Sequence, residues 1–559
     1  MESKLSYYSC PSNEHLTAAT VGQILGESVA RYPDYEALVS IHQNVRLTYT
    51  EFNDICHRAA TGLMSIGIEK GDNVAIWSHS QAESMITQFA TAMIGAVLVT
   101  INPDYKAYEL EYALRISESK VLLFSDRYKT TDYLSIFLEV CPEAGKATNK
   151  KIESKKLPFL KHAVLLGDND HPDILAWSEL LAMGDSIAET SLEARKQTLS
   201  MDDPLNMLFT SGTTDYPKAV VITHHNLVNN CLLSNTRLRF YPKDRFCMCL
   251  PLFHVFGIWN CLACIMFGAT VVFPAERFNT EATLSAVMSE KCTILSGVPT
   301  MFTTELAHPD FNKYNLSTLR GGLMAGAPCP LDTVKKVMEK MHLPDLLIGF
   351  GLTEVAGSCT STTLDSDIES RLNTVGIPLP YTEVKIIDPE TKAIVPIGEK
   401  GELCCRGPFV MKEYYKNPEA TNAQIDRVRW FHTGDMATID ANGYIQIVGR
   451  LKDMIIRGGE NIYPGEIENF LLTHPKINIA QIVGVPDEKY GEELCAWIKP
   501  VDIESITEEE VRDFCDDKIA RYKIPRYIKF VNKFPMTASG KIKKAEIKRI
   551  VNQEIAGAL

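Results

Sequence analysis

SMITQFATAMIGAVLVTINPDYKAYELEYALRISESKVLLFSD (84–126) is the stretch that decides the fold class. A helical pattern (84–96) precedes a short apolar strand (97–103), and the same pair repeats up to Asp126. This alternation is typical of parallel sheets whose strands are joined by crossover helices. The unit recurs at TLSAVMSEKC and TILSGVPT (283–300), so we expect a large N-terminal domain of parallel α/β subdomains.

The pattern changes past Thr382. EVKIIDPETKAIVPIGEKGELCCRG (383–407) alternates by twos with Pro and Gly punctuation, as short antiparallel strands do. ANGYIQIVGR (441–450) predicts a hairpin with Asn-Gly at its turn, so we expect a small β-barrel-like subdomain here. A fresh α/β unit then begins, which predicts an N-terminal domain (1–451) and a small C-terminal α/β domain (452–559).

Composition and charge exclude several classes of protein. The 559 residues are 45% hydrophobic and 23% charged, as in ordinary globular proteins, and the net charge of −13 argues against a nucleic-acid binder. Between Lys518 and Arg549, eleven Lys or Arg face one acid, Glu546, which indicates a solvated basic face or a surface for a polyanionic small molecule. The uncharged stretch from Phe246 to Ala275 is interrupted by Pro and Gly, so we predict a buried strand–helix–strand and no transmembrane segment.

The cysteines and the N-terminus bear on the compartment. Fifteen cysteines without regular spacing predict reduced thiols in a cytosol-like compartment. Cys261 and Cys264 form one CxxC, but a zinc site would need further ligands, so we expect apolar helix packing. The opening residues, MESKLSYYSCPSNEH, show neither a secretion signal nor an import pattern, which predicts a cytoplasmic protein.

The first of four motifs that carry chemistry is TSGTTDYPK (210–218). Hydroxyls and backbone N–H groups in a glycine-containing turn form an anion nest, and Lys218 can add charge. It is not a Walker loop, because the Gly-Lys-Ser/Thr ending is missing. Alone, such a run is more often a plain surface turn.

The second motif is GFGLTE (349–354). Phe350, between two glycines, offers a flat platform suited to stacking a base. Thr353 can donate to a phosphate oxygen, and Glu354 offers a hard oxygen ligand for the magnesium that accompanies a nucleoside triphosphate. The ordinary alternative is a turn at the end of a strand.

The third and fourth motifs are WFHTGD (430–435), followed by Arg450, and TASGKIKK (537–544). A carboxylate such as Asp435 can accept hydrogen bonds from two ribose hydroxyls, and Arg450 can add a donor. Lys541, on a mobile arm, can reach a phosphate as a point charge. The ordinary alternatives are a structural Asp–Arg pair and a solvated lysine.

Together and in this order, the four motifs resemble the adenylate-forming, AMP-binding superfamily, from about Thr20 to the C-terminal lysines. RLTYTEFN (46–53), PLFHVFG (251–257) and SGVPTMF (296–302) are similar to fatty-acyl-CoA synthetases of the medium-chain kind. The resemblance implies a ligase that converts a carboxylic acid, ATP and coenzyme A into acyl-CoA, AMP and diphosphate through an acyl-adenylate, with Mg²⁺. An aromatic- or branched-acid CoA ligase and a catalytically silent nucleotide- or acyl-binding relative are the alternatives.

The resemblance also implies roles for single residues. The catalytic set would be Lys541, Thr353, Glu354 and His254, with Glu354 as the metal ligand and His254 beside the acyl pocket. The nucleotide and coenzyme A contacts would be Thr210, Ser211, Gly212, Thr213, Thr214, Lys218, Ala325, Gly326, Ala327, Phe350, Gly351, Asp435, Arg450, Gly458 and Gly459. Lys452 matches the hinge about which the small domain would swing, exchanging Lys541 for the two glycines. Similar medium-chain enzymes are often mitochondrial, which makes the mitochondrial matrix the alternative compartment.

Two residues depart from the family pattern. Asp215 and Ala219 stand where the family usually has glycine. Aspartate tolerates positive φ better than most residues, but a carboxylate about 6 Å from one phosphate charge, at an effective dielectric of ~20, is repelled by roughly 3 kcal/mol. We therefore expect an active enzyme that holds ATP less tightly. Asp215 is the only support for the silent relative.

Overall fold

The computed structural model describes residues 5–167, 169–210, 217–458, 460–487, 489–502, 506–516, 518–537 and 540–558. Within them the α-helices are α1 (Val21–Arg31), α2 (Tyr49–Ser65), α3 (Ala82–Ile94), α4 (Ala107–Ser117), α5 (Tyr133–Val140), α6 (Trp177–Gly184), α7 (Glu189–Lys196), α8 (His224–Leu238), α9 (Val255–Met266), α10 (Thr280–Ser289), α11 (Pro299–Leu306), α12 (Leu331–Lys340), α13 (Ile368–Asn373), α14 (Pro418–Gln424), α15 (Pro464–Leu471), α16 (Glu508–Cys515) and α17 (Lys544–Ala558).

The strands are β1 (Tyr7–Ser9), β2 (Glu36–Ser40), β3 (Val45–Thr48), β4 (Asn73–Trp77), β5 (Val97–Ile101), β6 (Val121–Ser125), β7 (Arg127–Tyr128), β8 (Thr131–Asp132), β9 (His162–Leu166), β10 (Leu175–Ala176), β11 (Pro204–Thr210), β12 (Lys218–Thr223), β13 (Arg245–Cys247), β14 (Thr270–Phe273), β15 (Ile294–Leu295), β16 (Gly321–Ala325), β17 (Asp345–Phe350), β18 (Thr360–Ser361), β19 (Ile377–Pro378), β20 (Glu383–Ile387), β21 (Gly401–Arg406), β22 (Glu413–Tyr414), β23 (Phe431–Ile439), β24 (Ile445–Arg450), β25 (Ile455–Arg457), β26 (Glu460–Ile462), β27 (Ile477–Asp487), β28 (Gly491–Pro500) and β29 (Tyr527–Phe530).

The first sheet has eight strands in the order β10-β9-β6-β4-β5-β11-β12-β22 and is parallel from β10 to β11. Helices α3 and α4 are the crossovers predicted over 84–119, and α3 ends at Ile94, where Gly95 caps it with φ +72°. Nearly every residue of α3 is buried, because α1, α2 and β5 pack around it. The prediction of a parallel α/β unit is confirmed.

The second sheet has nine strands in the order β19-β18-β17-β16-β15-β13-β14-β2-β3. Its centre, from β2 through β14, β13, β15 and β16 to β17, is parallel. The uncharged stretch from Phe246 to Ala275 forms β13, α9 and β14, as predicted, and α9 carries Cys261 and Cys264 buried in the core. Among the described helices, none is long and apolar enough to cross a membrane.

The third sheet is antiparallel, with the order β1-β20-β21-β23-β24. The predicted hairpin joins β23 to β24, and Gly443 takes φ +89° in its turn. In the order described, β1 and β24 are the two edges, so this subdomain is an open sheet and not the barrel-like closure that we expected.

A separate C-terminal sheet contains β26-β25-β28-β27, with β29 paired to β28, and packs against α15, α16 and α17. All its strands follow Asp453, and the short 3-10 turn Leu451–Asp453 joins it to β24. Several cations of the basic stretch pair with acids of this same domain, namely Lys523, Arg526, Lys529, Lys544 and Lys548. The exact position of the domain boundary stays a prediction.

One carboxyl group of the core lacks a hydrogen-bond partner in the part of the chain that the structure describes. Glu305, in the last turn of α11, is fully buried, and neither of its carboxyl oxygens has a hydrogen-bond partner among the described residues. Burial raises the pKa of Glu305 from 4.5 to about 8. The folded protein therefore holds this group protonated at pH values where the unfolded chain ionises it.

We predict that Glu305→Gln reduces the loss of stability on raising the pH. The folded-state pKa of Glu305 lies above the unfolded value. The contribution of Glu305 to the free energy of unfolding is therefore fully present below about pH 4.5 and is lost as the pH rises to about 8. The native free energy of unfolding should fall by roughly 1.4 kcal/mol per pH unit more than that of the variant. Urea unfolding at pH 5.5, 7 and 8.5 measures this.

The exposed Glu339 on α12 supplies the control, Glu339→Gln, which should follow the native pH profile. Equal pH profiles for Glu305→Gln and the native protein would contradict the assignment of a protonated Glu305.

Candidate active site

The carboxyl ends of two neighbouring parallel strands form the floor of the site. Strands β16 and β17 pair in register, with Ala325 opposite Gly349, so Gly326 and Ala327 come next to Phe350. Gly326 takes φ +85°, and it is exposed together with Ala327. In open α/β sheets, ligands bind outside such strand ends. The structure thus places the predicted platform and its neighbouring backbone side by side.

Behind Phe350 the chain turns tightly. A Cβ at Gly351 would lie 1.7 Å from the carbonyl oxygen of Gly357, so the turn admits only glycine at this position. The turn leads into a short 3-10 segment that buries Thr353 and leaves Glu354 half-buried. Glycine at 351 is therefore a packing requirement of the loop that presents Glu354.

Glu354 is held by a residue that sequence reasoning missed. The Tyr414 hydroxyl donates to Glu354 Oε1 at 2.9 Å, and the Lys218 ammonium lies 4.8 Å from the centre of the Tyr414 ring. Burial, and then the charge of Glu354, raise the pKa of Tyr414. Tyr414 reaches this place because β22 pairs with β12, a contact between distant parts of the chain. Nothing in the local sequence EYYKNPE signals it.

The ends of the predicted phosphate loop are paired. Thr210, the last residue of β11, lies opposite Lys218, the first of β12, and the Thr210 hydroxyl donates to the Lys218 carbonyl at 3.5 Å. Ala219 is buried and pairs with Phe209 as an ordinary strand residue with no positive φ. The intervening loop residues of the prediction lie outside the described residues: Ser211, Gly212, Thr213, Thr214 and Asp215.

The predicted Asp–Arg pair forms between β23 and β24. Asp435 lies opposite Arg450, whose Nε donates to Asp435 Oδ1 at 3.0 Å. Asp435 is only 3% exposed, and its Oδ2 has no hydrogen-bond partner among the described residues. Burial raises the pKa of Asp435, and Arg450 opposes that shift. A buried carboxylate oxygen without a partner is costly, so it indicates a place for an incoming hydrogen-bond donor.

Lys541 of the C-terminal domain enters the same site. The Thr300 hydroxyl donates to the Gly540 carbonyl at 2.9 Å, and a Cβ at Gly326 would lie 3.3 Å from Lys541 Cε. Burial lowers the pKa of Lys541, Arg450 lowers it further, and the carboxylates Asp435 and Glu354 raise it. The ammonium of the fourth motif thus lies among the charged groups of the second and third motifs.

His254 faces the same centre. It caps α9, where its Nδ1 accepts from the Phe256 N–H at 3.2 Å. Burial and the nearby charge of Lys541 lower the pKa of His254 to about 3, so the imidazole is neutral at physiological pH. A neutral ring beside Lys541 can form a wall of a substrate pocket without adding charge.

The C-terminal domain contacts the rest of the chain at a second point. The Lys400 ammonium lies 3.1 Å from a Glu466 carboxylate oxygen at the start of α15, with both side chains about two-fifths exposed. Gly458, in the β25–β26 turn, donates its N–H to the Tyr490 carbonyl at 2.8 Å. Among the described residues, a Cβ at Gly458 would meet only the Tyr490 ring within 4 Å. Within that distance Gly458 contacts no described group of the candidate site, so its approach to the site stays a prediction, and Gly459 lies outside the described residues.

Comparison with protein families gives two matches. A family model described as AMP-binding enzyme matches residues 25–415, and one described as AMP-binding enzyme C-terminal domain matches residues 466–541. The putative acyl-CoA synthetase YngI of Bacillus subtilis (strain 168) is 45% identical over 534 residues, which cover 95% of this chain and 97% of that protein.

Two further similarities extend over nearly the whole chain. The mitochondrial medium-chain acyl-CoA ligase ACSF2 of Danio rerio is 40% identical over 553 residues, 98% of this chain and 91% of that protein. The crystal structure of the anthranilate CoA ligase AuaEII in complex with anthranoyl-AMP is similar with a TM-score of 0.83 and 26% identity, covering 97% of this chain and 98% of that one.

We predict that Thr300→Val loosens the arm that carries Lys541. Valine keeps the shape of threonine but cannot donate to the Gly540 carbonyl, a loss of about 1 kcal/mol for a neutral hydrogen bond. Amide hydrogen exchange of the peptide around Gly540 and Lys541 should accelerate by roughly fivefold.

Thr304→Val is the matched control, because within the described ranges the Thr304 hydroxyl donates only to carbonyls of its own helix, those of Thr300 and Met301. In this variant, the amide hydrogen exchange of the peptide around Lys541 should keep its native rate. Equal acceleration in both variants would show that the effect comes from α11 and not from the arm.

Proposed function

The chain belongs to the AMP-binding enzyme family, and we propose that it is an ATP-dependent acyl-CoA synthetase for medium-chain fatty acids. The reaction joins a fatty acid to coenzyme A and converts ATP into AMP and diphosphate. The observation that carries the proposal is the convergence of Lys541 with Asp435, Arg450, Glu354 and His254. Its best support from other proteins is the near full-length similarity to a medium-chain acyl-CoA ligase.

In the first half-reaction, a carboxylate oxygen of the fatty acid attacks the α-phosphorus of ATP. The new O–P bond forms as the bond from the α-phosphorus to the bridging oxygen breaks, and diphosphate leaves with that electron pair. Lys541 places its ammonium between the acyl carboxylate and the α-phosphate, where negative charge accumulates. Most of the acceleration comes from orientation and charge neutralisation.

The nucleotide would occupy the groove beside Lys541. Phe350 offers its ring to the adenine, and the backbone of Ala325, Gly326 and Ala327 lies at the edge of the base. The buried Oδ2 of Asp435 accepts from a ribose hydroxyl, which gives that oxygen the partner it lacks among the described residues. Arg450, already donating to the other oxygen of Asp435, keeps the carboxylate ionised and oriented.

The triphosphate would extend toward Lys218, Thr210 and Thr353, and Ser211, Gly212, Thr213 and Thr214 stay its further expected contacts. Glu354 fits a magnesium ion, since a half-buried carboxylate held by the Tyr414 hydroxyl is a hard and preoriented oxygen ligand. Bound magnesium would neutralise phosphate charge. Tyr414 fixes both Glu354, through its hydroxyl, and Lys218, through its ring face.

In the second half-reaction, the thiol of coenzyme A attacks the acyl carbon and AMP leaves. We propose that the C-terminal domain rotates about Lys452, so that Lys541 withdraws and Gly458 and Gly459 approach. Glycines leave room for the thin pantetheine arm close to the backbone. The rotation must break the contacts of Thr300 with Gly540 and of Lys400 with Glu466.

The class of acid is proposed from the relatives. The similarity to a medium-chain acyl-CoA ligase, at 40% identity, favours straight C6–C12 chains over aromatic acids. The similarity to an anthranilate CoA ligase, at 26% identity, keeps the aromatic acid as the second candidate. Competition of octanoate against benzoate-like and branched acids for coenzyme A distinguishes them.

We place the protein in the cytoplasm, and the mitochondrial matrix is the alternative. The word mitochondrial in the name of the ACSF2 relatives supports that alternative.

Lys541→Ala should abolish adenylation and spare thioester formation. With octanoate, Mg·ATP and coenzyme A, diphosphate release should fall by on the order of 10²–10³-fold, because the ammonium that neutralises the transition state is lost. Given preformed octanoyl-AMP and coenzyme A, the same variant should form octanoyl-CoA at close to the native rate.

Lys543→Ala is the control on the same arm, since Lys543 is exposed and lies two residues away. It should keep both half-reactions. A Lys541→Ala variant that releases diphosphate at the native rate would refute the proposed role.

Asp215→Gly should tighten ATP binding. Removing a carboxylate that repels the phosphates by roughly 3 kcal/mol lowers the KM for ATP by up to about a hundredfold, with kcat little changed. Asp215→Asn separates charge from backbone freedom, because it removes only the charge. If Asn has no effect and Gly does, the φ preference is the cause. A silent native protein that gains activity in Asp215→Gly would support the catalytically silent relative.

A further inference from the structure

Adjacent strands of the third sheet bring a carboxylate, a thiol and an imidazole together outside the nucleotide groove. Glu402 and Cys404 are two residues apart on β21 and therefore share one face of the strand. His432 on β23 lies directly opposite Cys404 in the register. The three side chains thus converge through ordinary strand pairing.

The distances between the potential ligand atoms suit one small cation. His432 Nδ1 lies 3.1 Å from Glu402 Oε2 and 3.4 Å from Cys404 Sγ, and all three ligand atoms lie within 4.8 Å of one another. Tetrahedral zinc with one sulfur, one nitrogen and one oxygen ligand needs neighbouring ligand atoms about 3.4–3.6 Å apart. Small rotations of side chains would reach that spacing.

The surroundings resemble those of a built metal site. Glu402 and Cys404 are buried, whereas the His432 side chain is 21% exposed, which leaves a path for water. The N–H of Gly434 donates to Glu402 Oε1 at 3.3 Å and orients the carboxylate while Oε2 faces His432. Cys404 packs with Ile387, Trp430 and Ile394, an apolar surrounding that strengthens metal–ligand attraction.

One cation already competes for the carboxylate. The ammonium of Lys392 lies 3.9 Å from Glu402 Oε2, and the Lys392 side chain is 59% exposed. Although Glu402 is buried, an ion pair of this length with an exposed ammonium is weak, so a divalent cation with three ligands can displace it.

We propose that Glu402, Cys404 and His432 bind a thiophilic divalent cation of the Zn²⁺ class, with water as the fourth ligand. Zinc binds the thiolate, the imidazole Nδ1 and one carboxylate oxygen. The thiol proton goes to solvent, and the imidazole changes tautomer by exchange with water, so that its single proton moves from Nδ1, beside Glu402, to Nε2. The bound cation joins β21 to β23.

The location gives the site a consequence for the fold. Glu402 pairs with Met436, and Cys404 pairs with His432. Between these pairs, three residues of β23 (433–435) lie opposite a single residue of β21, and this bulge contains Asp435. The Thr433 hydroxyl, donating to the Leu403 carbonyl at 2.7 Å, already holds the bulge from one side. A cation at Glu402 and His432 closes the other side, so zinc should stabilise the folded chain.

The test uses the full-length protein after removal of metals by chelation, with Co²⁺ as the spectroscopic probe. One equivalent of Co²⁺ should give the absorption of thiolate-to-cobalt charge transfer, and one equivalent of Zn²⁺ should abolish it. Cys404→Ser should lose this absorption, and His432→Gln should weaken Co²⁺ binding at least tenfold. Zn²⁺ should raise the melting temperature of the native protein and not that of Cys404→Ser.

Cys405→Ser is the matched control, because the next residue of the same strand faces the other side of the sheet. With Co²⁺, this variant should give the same charge-transfer absorption as the native protein. Lys392→Gln should bind Co²⁺ several-fold more tightly, since the competing ammonium is gone. No charge-transfer absorption, or an absorption retained in Cys404→Ser, would overturn the proposal. The absorption reports metal binding and not enzyme activity. A failure of the metal-site proposal can therefore be distinguished from a failure of the proposed synthetase function.

Discussion

A buried ammonium must have negative groups around it, and the docking of Lys541 depends on this constraint. Lys541 comes from the C-terminal domain, whereas Asp435 lies on β23 and Glu354 lies in the 3-10 segment Thr353–Val355 that follows β17. Burial alone lowers the pKa of Lys541, and the two carboxylates offset part of that effect. The ammonium of Lys541 is tolerated at this place only because three parts of the chain meet there: the segment after β17, the β23–β24 hairpin and the C-terminal arm.

Much of the fold follows from the sequence because its elements carry local signals. The alternation over 84–126 predicts α3, β5, α4 and β6 correctly, since buried crossover helices and parallel strands differ in length and period. The Asn-Gly turn likewise marks the β23–β24 hairpin. The expectation of a barrel-like subdomain failed because closure depends on whether the edge strands meet, which the alternation of single strands does not encode.

In the candidate site, too, some contacts could be predicted from the sequence and others could not. Asp435 and Arg450 stand in one hairpin, so their pairing was predictable from a short stretch. The bond from Tyr414 to Glu354 requires β22 to pair with β12, almost two hundred residues earlier, and no local pattern announces it. The burial of Glu305 is likewise a tertiary property, since α11 has an ordinary sequence and its surroundings offer the carboxyl no hydrogen bond from the residues that the structure describes.

In the proposed rotation of the C-terminal domain, the exposed pair of Lys400 and Glu466 would make the balance between the two arrangements depend on ionic strength. Both side chains are about two-fifths exposed, so dissolved ions screen their attraction over the ~8 Å Debye length of physiological salt. The hydrogen bond from Thr300 to Gly540 joins neutral groups and is far less sensitive to salt. In the proposed rotation, salt would thus weaken the contact between Lys400 and Glu466 more than the contact between Thr300 and Gly540. An adenylating enzyme built in this way would be tuned by the electrolyte of its compartment.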